Sequence, residues 1–151
     1  MPTRSYVLRT AFTATILAAA LAGCGMMGMS SGGGETYRAT LSGAQEVPPV
    51  TTSGTGTAEV KLDSANNTLS WKVSYSGLSG PASAGHIHGP AGPGQNAGVM
   101  IPFNSVTTQP ITGQASVTPQ QVEALKAGRL YVNLHTPSHP GGEIRGQLEK
   151  Q

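Results

Sequence analysis

The sequence predicts an all-β domain of about eight short antiparallel strands, arranged as a sandwich or barrel and closed by one short helix. Three observations predict it. From Tyr37 onward apolar and polar residues alternate, which is the period of a half-buried strand. Glycine and proline clusters cut most of these runs apart at the spacing of a sandwich. A single segment, about 118–127, carries the start and stop signals of a helix.

Tyr37–Leu41 opens the series of strands. Ala58, Val60 and Leu62 then alternate with Thr57, Glu59 and Lys61. Thr68 to Tyr75 is the clearest run. Leu69, Trp71, Val73 and Tyr75 point one way, and Thr68, Ser70, Lys72 and Ser74 the other. Asp63-Ser64-Ala65-Asn66-Asn67 joins these two runs with hairpin-turn chemistry, since Asp and Asn side chains bond nearby backbone. Ala84–His88, Val99–Phe103, Ile111–Val117, Leu130–His135 and Glu143–Glu149 complete the set. In the helix Thr118 serves as N-cap, Pro119 takes the first position and Gln121 completes a capping box. Val122 and Leu125 share one face, and Gly128 ends the segment. About two and a half turns cannot stand alone in water, so this helix is expected to cover one end of the sandwich.

Ahead of the domain, Arg4 and Arg9 form a positive n-region before the apolar run Ala11 to Ala22. That run is too short for a permanent membrane span. It ends in Leu21-Ala22-Gly23-Cys24, which resembles the lipobox of exported lipoproteins. On this reading residues 1–23 are a signal peptide and Cys24 is the lipid-modified first residue. Two or three acyl chains there give a stable anchor, where one would not. Residues 24–36, rich in Gly, Ser and Met, form a flexible tether, and 37–149 is the β domain. Met26, Met27 and Met29 carry soft thioethers that suit Cu(I), but in such a linker they read first as incidental. Gly25 replaces the aspartate that favours inner-membrane retention. The expected location is therefore the periplasmic face of the outer membrane or the cell surface.

Composition narrows the function. Removing Arg4 and Arg9 leaves seven Lys/Arg against seven Asp/Glu, a net charge of zero. With no basic stripe and few aromatics, nucleic acid is not an expected partner. Cys24 is the only cysteine, so no internal disulfide forms and the core alone holds the fold. There is no nucleophile elbow, no standout carboxylate pair and no phosphate loop.

The candidate chemistry lies in four histidines, all in two short segments: Gly85-His86-Ile87-His88-Gly89-Pro90 and Leu134-His135-Thr136-Pro137-Ser138-His139-Pro140. On a strand, His86 and His88 share a face with alpha carbons roughly 6.6 Å apart. In the second segment Val132 and Leu134 face the core, so Tyr131, Asn133 and His135 share the polar face. If the two strands are neighbours, His86, His88 and His135 converge, and His139 in its Pro-rich loop supplies a fourth nitrogen or closes the site. Imidazoles without thiolate suit Cu(II) or Zn(II), and an oxidising compartment favours copper. The alternative is that all four are loop histidines bonded to nearby turns. Glu46, ahead of Val47-Pro48-Pro49, either orients a histidine from behind or stabilises a turn. Gly89-Pro90-Ala91-Gly92-Pro93-Gly94 either shapes access to the site or simply connects two strands.

Four stretches carry a family resemblance. Leu41-Ser42-Gly43-Ala44-Gln45-Glu46-Val47-Pro48-Pro49-Val50 resembles the opening motif of the CHRD domain, first described in chordin. Gly85-His86-Ile87-His88-Gly89 and Tyr131-Val132-Asn133-Leu134-His135-Thr136 resemble its central and late motifs. Gly142-Glu143-Ile144-Arg145-Gly146-Gln147-Leu148 resembles its closing strand, so the resemblance spans 37–149. It implies a Greek-key all-β fold. Chordin's role as an extracellular antagonist does not transfer by fold alone. The H-x-H strand and distant histidine also resemble the copper site of copper-zinc superoxide dismutase, with His86, His88 and His135 in the copper-only positions. The departures are a missing cysteine pair, no further His and Asp cluster for zinc, and no bridging histidine. Arg145 either guides an anion or is a plain surface residue, and its strand pattern favours the latter.

The expected function is thus a lipid-anchored extracytoplasmic protein that binds a metal ion, copper ahead of zinc, for storage, delivery or resistance. Its partners would be the membrane, the metal and an extracytoplasmic protein. Two other readings stand beside it: a metal-free adhesion or scaffold module for protein or glycan, and a dismutase-like redox enzyme.

Overall fold

The computed structural model describes residues 1–2 and 34–151. Residues 3–23 of the expected signal peptide, Cys24, and Met26, Met27 and Met29 lie outside the described residues. The domain is built from β1 (Glu35–Ser42), β2 (Thr55–Asp63), β3 (Thr68–Ser76), β4 (Ala84–His88), β5 (Val99–Pro102), β6 (Ile111–Ser116), α1 (Pro119–Lys126), β7 (Tyr131–Thr136), β8 (His139–Gln147) and β9 (Glu149–Lys150). Every strand pair is antiparallel. The hydrogen-bonded order is β5-β4-β7-β8-β1-β2-β3-β6, with β9 added beside β1. Followed around the barrel from β1 this runs β1-β2-β3-β6, then a gap, then β5-β4-β7-β8. It is the all-β Greek-key arrangement expected from the sequence.

The predicted local signals explain most of it. β2 and β3 pair over nine residues from Thr55↔Ser76 to Asp63↔Thr68. Their turn is held by Asp63 Oδ1, which accepts from Ala65 N at 2.9 Å and Asn66 N at 3.2 Å. Asn67 takes the positive φ of 49° that closes the turn. The inward residues Leu69, Trp71 and Val73 are buried, and Trp71 stacks on Phe103 at 4.9 Å behind the gap between β6 and β5. In α1, Thr118 Oγ1 accepts from Gln121 N, and Gln121 Oε1 accepts from Thr118 N at 2.8 Å. Leu125 is fully buried and seats the helix on the core.

Most boundaries shift by a residue or two, and the starts of β1 and β8 are the informative ones. β1 begins at Glu35, because β2 runs far enough for Glu35 to pair with Leu62. β8 begins at His139, inside the segment read as a Pro-rich loop, and Thr136 pairs with His139 across a tight turn. Pro140 lacks an N–H to donate and is tolerated because it sits at this strand opening, outside the regular β7–β8 register; its carbonyl accepts from His135 Nδ1 at 3.0 Å.

Charge is unevenly spread. Among the described residues, every charged side chain that reaches solvent lies on β1–β3, on β9, or on α1 and the turn after it. The stretches 73–122 and 130–142 carry none. The remaining charged groups, Glu46, Glu143 and Arg145, are buried.

Candidate metal centre

β4 and β7 are direct neighbours. Ala84 pairs with His135, His86 with Asn133 and His88 with Tyr131. Opposed residues share a face, so all three histidines stand on the outer face of the barrel. Ile87 and Val132, the alternate pair, fill the core. One ligand nitrogen from each of His86, His88 and His135 lies within 4.8 Å of the others. Two nitrogens on one ion at about 2.0–2.1 Å each sit roughly 2.8–4.2 Å apart, from cis to trans. Small ring movements therefore complete the fit.

Hydrogen bonds fix which nitrogens are available. A carbonyl only accepts, so His88 Nδ1 donates to Ala97 O and His135 Nδ1 donates to Pro140 O, both at 3.0 Å. Each ring is thereby held in the tautomer that leaves Nε2 with its lone pair. His88 Nε2 is buried and has no hydrogen-bond partner. His135 Nε2 faces His86 Nδ1 at 3.0 Å. Burial, then the neighbouring His135 and His88, pushes the His86 pKa down to about 4. Burial is also the main cause that lowers His88 and His135. All three rings are thus neutral near neutral pH. An orphaned buried nitrogen and a pure imidazole donor set fit copper or zinc.

His139 is not in this cluster. It pairs with Thr136, whose hydroxyl points to the other side and donates to Glu143 Oε2 at 2.6 Å. The expected fourth ligand is therefore corrected. The alternation that brings His135 to the outer face carries Thr136, and His139 opposite it, away.

The long glycine-proline loop 89–98 is pinned over the histidine face. Arg145 Nη1 donates to Asn96 Oδ1 at 3.0 Å and Nη2 to Gln95 O at 2.7 Å. Tyr131 Oη bonds both Ala97 N and Ala97 O, at 3.0 and 3.2 Å. Gln147 Nε2 reaches Ala91 O at 2.9 Å, and Asn96 Nδ2 reaches Val47 O at 2.8 Å. The loop thus packs on the histidine-bearing sheet, with Ala97 O holding the His88 ring, and is more than a free connection.

Arg145 is the main residue that the sequence reading misplaced. It is 2 % exposed, not a surface residue. Its guanidinium carbon sits 3.5 Å from the Tyr131 ring centroid, and Tyr131 in turn stacks on His88 at 5.0 Å with 5° between planes. Glu46 is also buried, but it does not hold a histidine. Its Oε2 accepts from Asn133 Nδ2 at 3.3 Å, while Oε1 has no partner. Burial raises its pKa to about 7, against the opposing pull of Arg145 and Asn133. Gly142 permits this packing, since a Cβ there would lie 2.6 Å from Asn133 and 2.7 Å from Glu46. Period two already placed Tyr131, Asn133 and His135 on one face. Nothing local marked Arg145 as covered, because its cover is a loop about fifty residues away in sequence.

Compared with known families, residues 37–148 match the model of the CHRD domain. No curated protein and no solved structure matches the chain.

Proposed function

The chain belongs to the CHRD-domain family, and from that premise we propose that it is an exported, lipid-anchored protein that binds copper through His86, His88 and His135 for storage, delivery or resistance. The observation that supports this most is the pair of carbonyl-held rings, His88 and His135, whose Nε2 lone pairs converge with His86: His88 Nε2 has no partner, and His135 Nε2 accepts from His86 Nδ1. Such second partners are what orient imidazoles around metals. Neutral nitrogen donors without thiolate suit Cu(II) and zinc, and an oxidising compartment outside the cytoplasm favours copper. The lipobox-like Leu21-Ala22-Gly23-Cys24 supports export and anchoring, with the periplasmic face of the outer membrane or the cell surface as the location.

Metal analysis of protein purified from copper- and zinc-supplemented cultures tests the first half. About one equivalent of copper is expected in the wild type and in His139→Ala, and a large loss in His86→Ala and His135→Ala. Folded His86→Ala and His135→Ala with undiminished metal would refute this histidine site, and a wild type without copper or zinc would leave a metal-free adhesion or scaffold module. Metabolic labelling with palmitate tests the second half. Label should enter the wild type and not Cys24→Ala, and an unlabelled wild type refutes the anchor.

A further inference from the structure

A buried positive charge stands behind the histidine cluster with no carboxylate within ion-pair distance; the buried Glu46 feels it only at longer range, and burial holds that carboxyl raised to about 7. None of the ion pairs among the described residues involves Arg145. Its acceptors are the neutral oxygens of Asn96, Gln95 and Gly92. β7 lies between β4 and β8, so Tyr131 sits between His88 on one neighbour and Arg145 on the other. The guanidinium lies on the Tyr131 ring, and Tyr131 is parallel to the His88 ring. A guanidinium keeps its charge in any protein environment. In an interior of low effective dielectric it repels a nearby dication more than a monocation. None of the three imidazoles brings a negative charge to offset this.

We propose that Arg145, set beside His88 by the intervening Tyr131, biases the His86–His88–His135 site toward the less charged state of its metal, Cu(I) over Cu(II). This rests on the copper reading of the site and adds a preferred oxidation state to it. Arg145 is a tuning residue here, not a ligand. Asn96 provides the sharpest probe. It is an exposed loop residue whose Oδ1 already accepts from the guanidinium at 3.0 Å. Asn96→Asp keeps that shape and places a neutralising charge against Arg145.

The test uses the purified full-length chain. Cu(I) affinity is measured by competition with bicinchoninate and Cu(II) affinity by competition with nitrilotriacetate. A redox titration of the copper-loaded protein is the independent readout. Asn96→Asp and Arg145→Met should each lower the Cu(I)-to-Cu(II) affinity ratio about tenfold, equivalent to about 59 mV for a one-electron couple. Arg145→Lys, which keeps the charge, should return the ratio to near the wild-type value. If Arg145→Met fails to fold, Asn96→Asp decides alone. A ratio within twofold of wild type in Asn96→Asp overturns the charge argument while leaving copper binding intact. A wild type that takes up neither Cu(I) nor Cu(II) overturns the metal reading itself, and this inference with it.

Discussion

Replacing Glu143 by glutamine should remove a large share of the domain's stability at neutral pH and flatten its acid dependence. The carboxylate is fully buried. It accepts four hydrogen bonds: from Thr52 Oγ1, Ser79 Oγ and Thr136 Oγ1 at 2.6 Å each, and from Ser79 N at 2.8 Å. Burial alone would raise its pKa. The bonds from Ser79, Thr136 and Thr52 outweigh burial and hold it at about 2, against 4.5 in the unfolded chain. A depressed carboxylate stabilises the fold fully above the unfolded value. That stability is lost as pH falls from about 4.5 towards 2. At about 1.4 kcal/mol per pH unit the difference amounts to about 3 kcal/mol. Glutamine cannot ionise, and its amide NH2 meets donors rather than acceptors. Urea unfolding followed by the fluorescence of Trp71, the single tryptophan, measures the effect. Glu143→Gln should be about 3 kcal/mol less stable at pH 7, with the gap narrowing steadily below pH 4.5. A wild-type-minus-variant difference that stays constant between pH 6 and pH 2.5 would refute the reasoning.

Glu46 should behave with the opposite sign. Its pKa is raised in the fold to about 7, so ionisation costs stability as pH climbs from 4.5 through 7, and Glu46→Gln should gain on the wild type by up to about 3 kcal/mol between pH 5 and pH 8. Thermal melts at the two pH values check this, and a gap that shrinks with rising pH contradicts it. Gly113→Ala would put a Cβ 2.5 Å from Trp71 Cζ2, so it should cost roughly 1–3 kcal/mol and shift the tryptophan emission. An unchanged urea midpoint would show that the ring has room to move. Thr118→Ala removes one half of the capping box and should cost about 1 kcal/mol by the same unfolding assay.

What was legible in the sequence is what short-range patterns encode. The alternation in Thr68 to Tyr75, the Asp63–Asn67 turn and the Thr118–Gln121 box each appear in the structure as the local chemistry demands. The same alternation put His86, His88 and His135 on the polar side of their strands, and pairing of β4 with β7 brought them together. His139 failed because the reading treated Pro137–Gly142 as an open loop, when β8 already begins at residue 139 and fixes that ring's side. Arg145 failed for a different reason. An outward-facing charge on a strand is normally solvated, and only long-range packing of loop 89–98 and of the segment around Glu46 turns that surface into an interior. No spacing rule anticipates which loop will fold back over which strand.

The confinement of accessible ionic groups to β1–β3, β9 and the helix has a kinetic meaning. Whatever reaches the histidines crosses the stretches 73–122 and 130–142, which carry no charged side chains of their own; Arg129 and the buried Arg145 are the charges nearest to them. Encounters there should proceed at rates nearly blind to ionic strength. Added salt should act mainly on the surface pairs that Glu35 makes with Lys126 and Lys150.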